Sequence, residues 1–255
     1  MKYFGMACHQ ALSFHRLMMR IPKGEAVFWP GCALMMLDPG ILQKTLSVLR
    51  RAGPEIQLAV GCCGQPTQYL FPEKFGKRRD KLRKLLKQQG VKRIYTACPN
   101  CTLQLRQLEE FEIIPVWQVL AVSLDKSDME TPAGSFVWHD PCPTRCDMAQ
   151  QAGARKLLDI SGCDWTEPKH TGSHTRCCGN FHMLRTTNPE KSAAMRTQRL
   201  EELGEGTILS SCEGCLGAFR CEGRDTCHLL ELIFGRSRFR GWGNRIHTTR
   251  KTPIR

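Results

Sequence analysis

Residues 26–32 read Ala26-Val27-Phe28-Trp29-Pro30-Gly31-Cys32, and residues 136–142 read Phe136-Val137-Trp138-His139-Asp140-Pro141-Cys142. Each is a short apolar run closed by a turn and a cysteine, the pattern of a buried strand that ends at a chemically active group. The downstream cysteines recur too. The first run leads to Gly61-Cys62-Cys63-Gly64 and Cys98-Pro99-Asn100-Cys101, the second to Arg176-Cys177-Cys178-Gly179 and Cys212-Glu213-Gly214-Cys215. Between the lone cysteine and the pair lie 29 residues in one copy and 34 in the other, and between the pair and the C-x-x-C lie 34 and 33. Ten cysteines in two sets of one order and similar spacing mark an internal duplication.

The segments between the cysteines correspond as well. Pro72-Glu73-Lys74 opens a basic helical stretch to Gln89 stopped by Gly90, and Pro189-Glu190-Lys191 opens another to Leu203 stopped by Gly204. Proline at the first turn and glycine past the last are the expected helix boundaries. Ala26 to Trp29, Gln57 to Val60, Arg93 to Thr96, Phe136 to Trp138 and Thr207 to Leu209 read as strands. Strands alternating with helices predict parallel sheets with right-handed crossovers, whose carboxyl ends carry the ligands. The expected fold is therefore α/β, a tandem pseudo-symmetric repeat of two β-α-β cysteine-rich units with parallel sheets. The expected boundaries are an N-terminal extension 1–25, a first unit 26–124, a polar linker 125–134, a second unit 135–235 and a basic, disordered tail 236–255.

Composition narrows the chemistry. The chain has 255 residues, 41% of them hydrophobic, which suffices for a core, and 15 cysteines. A protein of this length does not need disulfide staples, and the opening segment, broken by His9, His15 and Arg16, does not read as a secretory signal. The longest apolar run, Ile113 to Leu124, is too short for a membrane span. A reducing, cytoplasmic compartment is expected, where clustered cysteines are metal ligands or redox groups. No Ser-His-Asp set, P-loop or dinucleotide fingerprint is evident.

Five thiolates meeting at one place need a metal centre to offset their charge, and soft sulfur selects zinc, copper(I) or iron–sulfur clusters. A structural zinc takes four ligands and would leave one cysteine spare, whereas a multi-iron cluster has several metal atoms to share. The competing readings are a zinc knuckle and a thioredoxin-like dithiol. Outside the sets, Cys163 and Cys227 read as small packing residues and Cys8 and Cys221 carry no assignment. Cys146, four residues after Cys142, is a candidate alternative ligand or resolving thiol. His139 and His182 are candidates for proton transfer or for hydrogen bonds to a metal centre, and His170 and His174 are expected to face solvent.

The pattern C…CCG…C-x-x-C, twice in one chain, introduced by Pro-Gly-Cys and then by His-Asp-Pro-Cys, resembles the cysteine-rich CCG domain family. That family includes the disulfide-cleaving subunit of heterodisulfide reductase and iron–sulfur subunits of lactate, glycolate and glycerol-3-phosphate oxidising systems. The resemblance spans about Ala26 to Gly235. It implies that Cys32, Cys62, Cys63, Cys98 and Cys101 ligate one [4Fe-4S]-type cluster, cubane or noncubane, and that Cys142, Cys177, Cys178, Cys212 and Cys215 ligate a second. It further implies disulfide/thiol redox chemistry by an iron–sulfur oxidoreductase subunit. The alternatives are an electron-transfer subunit of a dehydrogenase complex and a zinc-stabilised binding module, with zinc at one site.

Charge bears on partners. The formal net charge is +13, and loading ten thiolates and two clusters of about +2 core charge leaves about +7. The excess gathers between Lys74 and Arg93 and in the tail, where Arg236, Arg238, Arg240, Arg245, Arg250, Lys251 and Arg255 stand without one acid. The expected partners are a ferredoxin-like iron–sulfur subunit or a flavoprotein subunit, and a small disulfide or thiol as substrate. Nucleic acid is disfavoured, and the tail is a candidate for peripheral contact with anionic lipid at the inner face of a membrane.

Overall fold

The computed structural model describes residues 3–130, 133–238 and 240–252. The chain forms two compact units, Met1–Val116 together with Arg238–Arg255, and Trp117–Ser237. In the first, strands β1 (Ala26–Trp29), β2 (Gln57–Leu58), β3 (Arg93–Thr96) and β4 (Glu112–Pro115) form a sheet in the order β2-β1-β3-β4. In the second, β5 (Ser135–Trp138), β6 (Asp164–Thr166), β7 (Thr207–Ser210) and β8 (Thr226–His228) repeat the order as β6-β5-β7-β8. Every pairing is parallel. The tandem α/β repeat is thus present, with four strands per sheet rather than the three in the first copy and two in the second that patterning suggests. The additional strands are short. Asp164–Thr166 is largely exposed with Trp165 alone half-buried, too little for an apolar run, and Thr226–His228 reads as the lead into a helix.

Local chemistry explains the elements. All four residues of Ala26–Trp29 are buried, as a strand covered on both faces requires. The helix Pro39–Ala52 starts at Asp38, whose carboxylate accepts the Gly40 N–H at 2.8 Å, and buries Ile41, Leu42, Thr45, Leu46, Val48 and Leu49 along one stripe. The expected basic helix is Pro72–Gln88, which buries only Leu82 and Leu86 and turns its charges outward. Its counterpart Pro189–Leu203 begins at Asn188, whose side chain accepts the Lys191 N–H, and buries Ser192, Arg196, Arg199 and Leu203. The second helix therefore directs two arginines inward where the first directs leucines. The helix Leu229–Phe234 is buried all round.

Two segments depart from expectation. The basic stretch after Gly235 is not a disordered tail: Trp242–Lys251 is a helix grouped with the first unit. Asn244 Nδ2 and the Gly241 N–H donate to the Met36 carbonyl at 3.2 and 3.0 Å, and Arg20 Nη1 donates to the Thr252 carbonyl at 2.8 Å. Its inner face is polar, with Arg245, Thr248 and Thr249 buried, so hydrophobic patterning could not reveal it. At the other junction, Trp117 groups with the second unit. A Cβ on Gly153 would stand 2.9 Å from the Trp117 carbonyl carbon, a close packing that only glycine permits. Of the expected linker 125–134, residues 126–128 form a 3₁₀ turn and residues 131 and 132 lie outside the described residues.

Candidate metal centre

Because each sheet is parallel, the C-terminal ends of β1, β2 and β3 lie at one edge, and Cys32, Cys62, Cys63 and Cys98 follow them directly. The second sheet presents Cys142 and Cys212 after β5 and β7, while a longer loop carries Cys177 and Cys178 back from β6. The CCG tripeptide has a local reason. Gly64 and Gly179 adopt φ of +89° and +82°, which turns each glycine N–H onto the first thiol of its pair, 3.5 Å from Cys62 Sγ and 3.3 Å from Cys177 Sγ. Gly179 is further constrained, since a Cβ there would meet the Ser192 carbonyl oxygen at 2.3 Å. In each C-x-x-C the first cysteine caps a helix and the second lies in its first turn. Cys98 caps Pro99–Leu105, and Cys212 caps Glu213–Arg220.

The ten motif cysteines gather into two sets of five. In the first, Cys62 hydrogen-bonds both Cys32 and Cys63, Cys63 reaches Cys101, and Cys101 reaches Cys98. In the second, Cys142 donates to Cys177 at 3.7 Å, Cys177 contacts Cys178, Cys178 contacts Cys215 and Cys215 contacts Cys212. Hydrogen bonds from Cys142 and Cys178 hold the Cys177 thiol down at about 2. Its hydrogen bond to Cys177, then burial and neighbouring thiolate charge, push Cys142 far up. In the first set mutual hydrogen bonds hold Cys62 and Cys98 down while Cys32, Cys63 and Cys101 are pushed up, and in the second Cys178 and Cys215 are pushed up with Cys142, so five thiolates together need a cation among them. Gly31 shows how closely the backbone wraps the first set. Its φ is +87°, and a Cβ would stand 3.0 Å from both Cys101 Sγ and Cys98 Cβ. A soft, dense donor set wrapped by glycine suits a metal or an iron–sulfur cluster.

The other expected residues fare differently. His139 is fully buried, accepts from Arg199 Nε at its Nδ1 (3.1 Å), and stands edge-on to Phe219. Arginine only donates, so the His139 proton resides on Nε2, an atom with no hydrogen-bond partner among the described residues. A His139 ring nitrogen and the Cys178 and Cys215 thiols all lie within 4.8 Å of one another. Burial, assisted by the Arg199 charge, pushes His139 down to about 3. His182 is exposed, with φ of +56°. With Cys142 and Cys177 it lines a cleft of about 420 Å³ to which Arg145, Arg176 and Lys191 also contribute. Cys146 is exposed, Cys163 half-buried and Cys227 buried.

His170 corrects its solvent-facing assignment. Its ring Nδ1 and backbone N–H both contact Glu202, at 2.5 and 2.6 Å, and its carbonyl accepts from Arg199, while His174 is exposed. Asp140 has a structural part that its motif does not reveal. Buried beside the Cys142 turn, it accepts from Trp138 Nε1, Arg155, the Thr171 hydroxyl and the Gly172 N–H. Burial raises its pKa, but Arg155 and these donors outweigh that and hold it below the ordinary carboxylate range. Arg199 and Arg245, both fully buried, also escape sequence reasoning. The spacing of Arg196 and Arg199 with Leu203 along one helical face is the available signal for Arg199. No local pattern marks Arg245.

Comparison with known proteins agrees with the motifs. No curated protein matches the chain. Solved structures overlap it weakly. The aspartate racemase of Picrophilus torridus is 13% identical over 88% of this chain and 100% of its own, with a TM-score of 0.32. A putative Asp/Glu racemase of Yersinia pestis is 10% identical over 89% and 97%, with a TM-score of 0.33. Overlap at this level bears on neither chemistry nor ancestry. The cysteine-rich domain CCG, by contrast, matches at residues 26–106 and again at 136–220, so that each match contains one complete thiol set. Matched twice over most of its length, the chain belongs to the cysteine-rich CCG domain family.

Proposed function

We propose that the protein is an iron–sulfur oxidoreductase subunit, similar to the disulfide-cleaving subunit of heterodisulfide reductase, that binds a [4Fe-4S]-type cluster at each thiol set and reduces a disulfide at the second. The observation that carries this reading is the cleft beside that set, where Cys142 and Cys177 meet open space lined by Arg145, Arg176 and Lys191. A buried electron-transfer centre has no need of such a cleft. A substrate disulfide does, and the three cations suit one that bears carboxylate, phosphate or sulfonate groups.

The bound clusters would supply one-electron steps. The chain's own residues do the rest. Arg145 is anchored by donating to the Thr175 carbonyl through Nε and Nη2, so it can hold an anion at a fixed place. His139 has a ring nitrogen within 4.8 Å of the Cys178 and Cys215 thiols, and a hydrogen bond from the ring to sulfur would favour the reduced form. Exposed on the cleft wall, His182 is placed to protonate a departing thiolate. The balance is RSSR′ + 2 e⁻ + 2 H⁺ → RSH + R′SH, with electrons from a reduced iron–sulfur or flavoprotein partner. The outward lysines of the basic helix, Lys77, Lys81 and Lys84, line a groove suited to an acidic face of that donor.

The test combines iron and acid-labile sulfide analysis and EPR with turnover of a disulfide panel by the reduced protein. The reading expects iron at both sites and thiol formation that Cys142→Ala and Cys177→Ala abolish. Zinc at both sites, or donor oxidation without thiol product, would overturn it.

A further inference from the structure

A histidine–arginine pair stands beside each thiol set, built from unrelated parts of the chain. At the second set, Arg199 Nε donates to His139, and the Arg199 charge is balanced by Glu202 at 2.9 Å. At the first set the pair is Arg245 and His9, with Arg245 Nη1 3.0 Å from His9 Nε2 and Nη2 donating to the Ser13 hydroxyl at 2.8 Å. The Arg245 guanidinium also covers the Trp242 ring, 4.7 Å from its centroid. Next to His9, the buried Gln10 lies 3.7 Å from Cys62 Sγ through Nε2, and its Oε1 accepts the Thr67 hydroxyl at 2.7 Å. A short polar chain therefore runs from Cys62 through Gln10 and His9 to Arg245.

The two arginines differ in what balances them. Arg245 is 0% exposed, its Nε has no hydrogen-bond partner, and among the described residues no carboxylate pairs with it. An arginine keeps its charge in a protein, and burying one without an anion is costly. The negative charge within its reach is that of the first thiol set, to which His9 and Gln10 link it, with Gln10 Nε2 2.9 Å from His9 Nδ1 and 3.7 Å from Cys62 Sγ. Both Arg245 and His9 lie outside the two segments that match the family, so this feature belongs to the flanking helices Phe4–Ser13 and Trp242–Lys251.

We propose that Arg245 is the counter-charge of the first metal–thiolate centre, tuning its reduction and its retention of metal through the His9–Gln10 chain. The inference rests on the reading that the first thiol set binds metal. A four- or five-thiolate cluster carries net negative charge, and adding an electron makes it more negative. A buried cation nearby therefore favours the reduced state. The second centre, where Glu202 cancels Arg199, is untouched.

The test places Arg245→Met and Arg245→Lys in a Cys178→Ala background, which isolates the first centre, and follows its midpoint by EPR-monitored redox titration. Arg245→Met is expected to weaken the reduction equilibrium at least tenfold, about 59 mV for one electron. Arg245→Lys should restore most of it. In a Cys63→Ala background, which isolates the second centre, neither variant should move the midpoint. Metal-free Arg245→Met should melt no lower than its metal-free parent, because it loses an uncompensated charge. Loss of the first centre from Arg245→Met with retention in Arg245→Lys also supports the assignment. An unchanged midpoint, an equal shift at the second centre, loss of metal from both variants, or a clearly lower melt of the metal-free Met variant would each overturn it. Zinc in the parent would defeat the proposed function while leaving this inference to be read as a tenfold loss of zinc affinity in Arg245→Met. A parent that binds no metal defeats both.

Discussion

Replacing Asp140 by asparagine sets one CONH₂ group against a shell made entirely of donors. Oδ1 accepts from Trp138 Nε1 at 2.8 Å and Arg155 Nη1 at 3.2 Å. Oδ2 accepts from Arg155 Nη2 at 2.6 Å, the Thr171 hydroxyl at 2.7 Å and the Gly172 N–H at 2.8 Å. Asparagine keeps one acceptor, and whichever way it turns, its NH₂ faces at least two donors and Arg155 loses its buried anion. Hydrogen bonds to charged groups are worth about 1.5–3 kcal/mol each, and breaking a buried ion pair costs about 3–5 kcal/mol. The pair is only partly buried, with Arg155 24% exposed, so about 3 kcal/mol is expected. With a urea dependence of about 1–3 kcal/mol per molar, the midpoint of the second unit should fall by about 1–3 M. Hydrogen exchange read on peptides from 117–237 isolates that unit from 3–116. Because Thr171 and Gly172 begin the loop that returns Cys177 to Cys142, metal content at the second site should fall too. A loss below about 1 kcal/mol, the scale of an exposed ion pair, with metal retained, would refute the view that this carboxylate holds the loop.

Cys63→Ala should remove the first centre and leave the second, and Cys178→Ala the reverse, checked by iron content and EPR; loss of both from either change would contradict independent sites. Gly31→Ala combines a positive φ with a side chain 3.0 Å from Cys101 Sγ and should cost about 1–2 kcal/mol in strain and empty the first site, seen as halved iron per chain. Glu202 is held below its usual range because the His170 and Arg199 donors outweigh the effect of burial. It therefore stabilises above the unfolded value of 4.5, and that contribution is lost as pH falls through its lower folded value. Glu202→Gln should flatten the acid side of the second unit's stability profile in metal-free protein, and an unchanged profile would show that Glu202 is not the responsible group. Chelation under reducing conditions should lower the melting temperature of the loaded protein, since ligand binding to the folded state stabilises it.

Much of the architecture is legible because it is local. Strands such as Ala26–Trp29 and Arg93–Thr96 are readable from their apolar runs, and the helices at Pro72 and Pro189 from their boundary residues. The CCG tripeptide is legible for the same reason, since a left-handed glycine beside two thiols is a property of three consecutive residues. Short strands escape. Asp164–Thr166 alternates over only three residues, too few to register, and Glu112–Pro115 overlaps the start of an apolar run that reads equally as helix.

What only the tertiary structure decided concerns polar groups that act across long separations. Arg245 and His9 are 236 residues apart, and Arg199 and His139 are 60 apart. Each pair exists because two helix faces bury charge, contrary to the usual rule that charge faces water. The C-terminal helix reads as a loose basic tail because its inner face is Arg245, Thr248 and Thr249, which carry no hydrophobic period. By itself the sequence determined that ten thiols belong to two equivalent sets, since that follows from a duplicated spacing. Tertiary packing decided how the sets differ, with an uncompensated arginine beside one and an open cationic cleft beside the other, because charge balance and solvent access depend on neighbours the chain brings from far away.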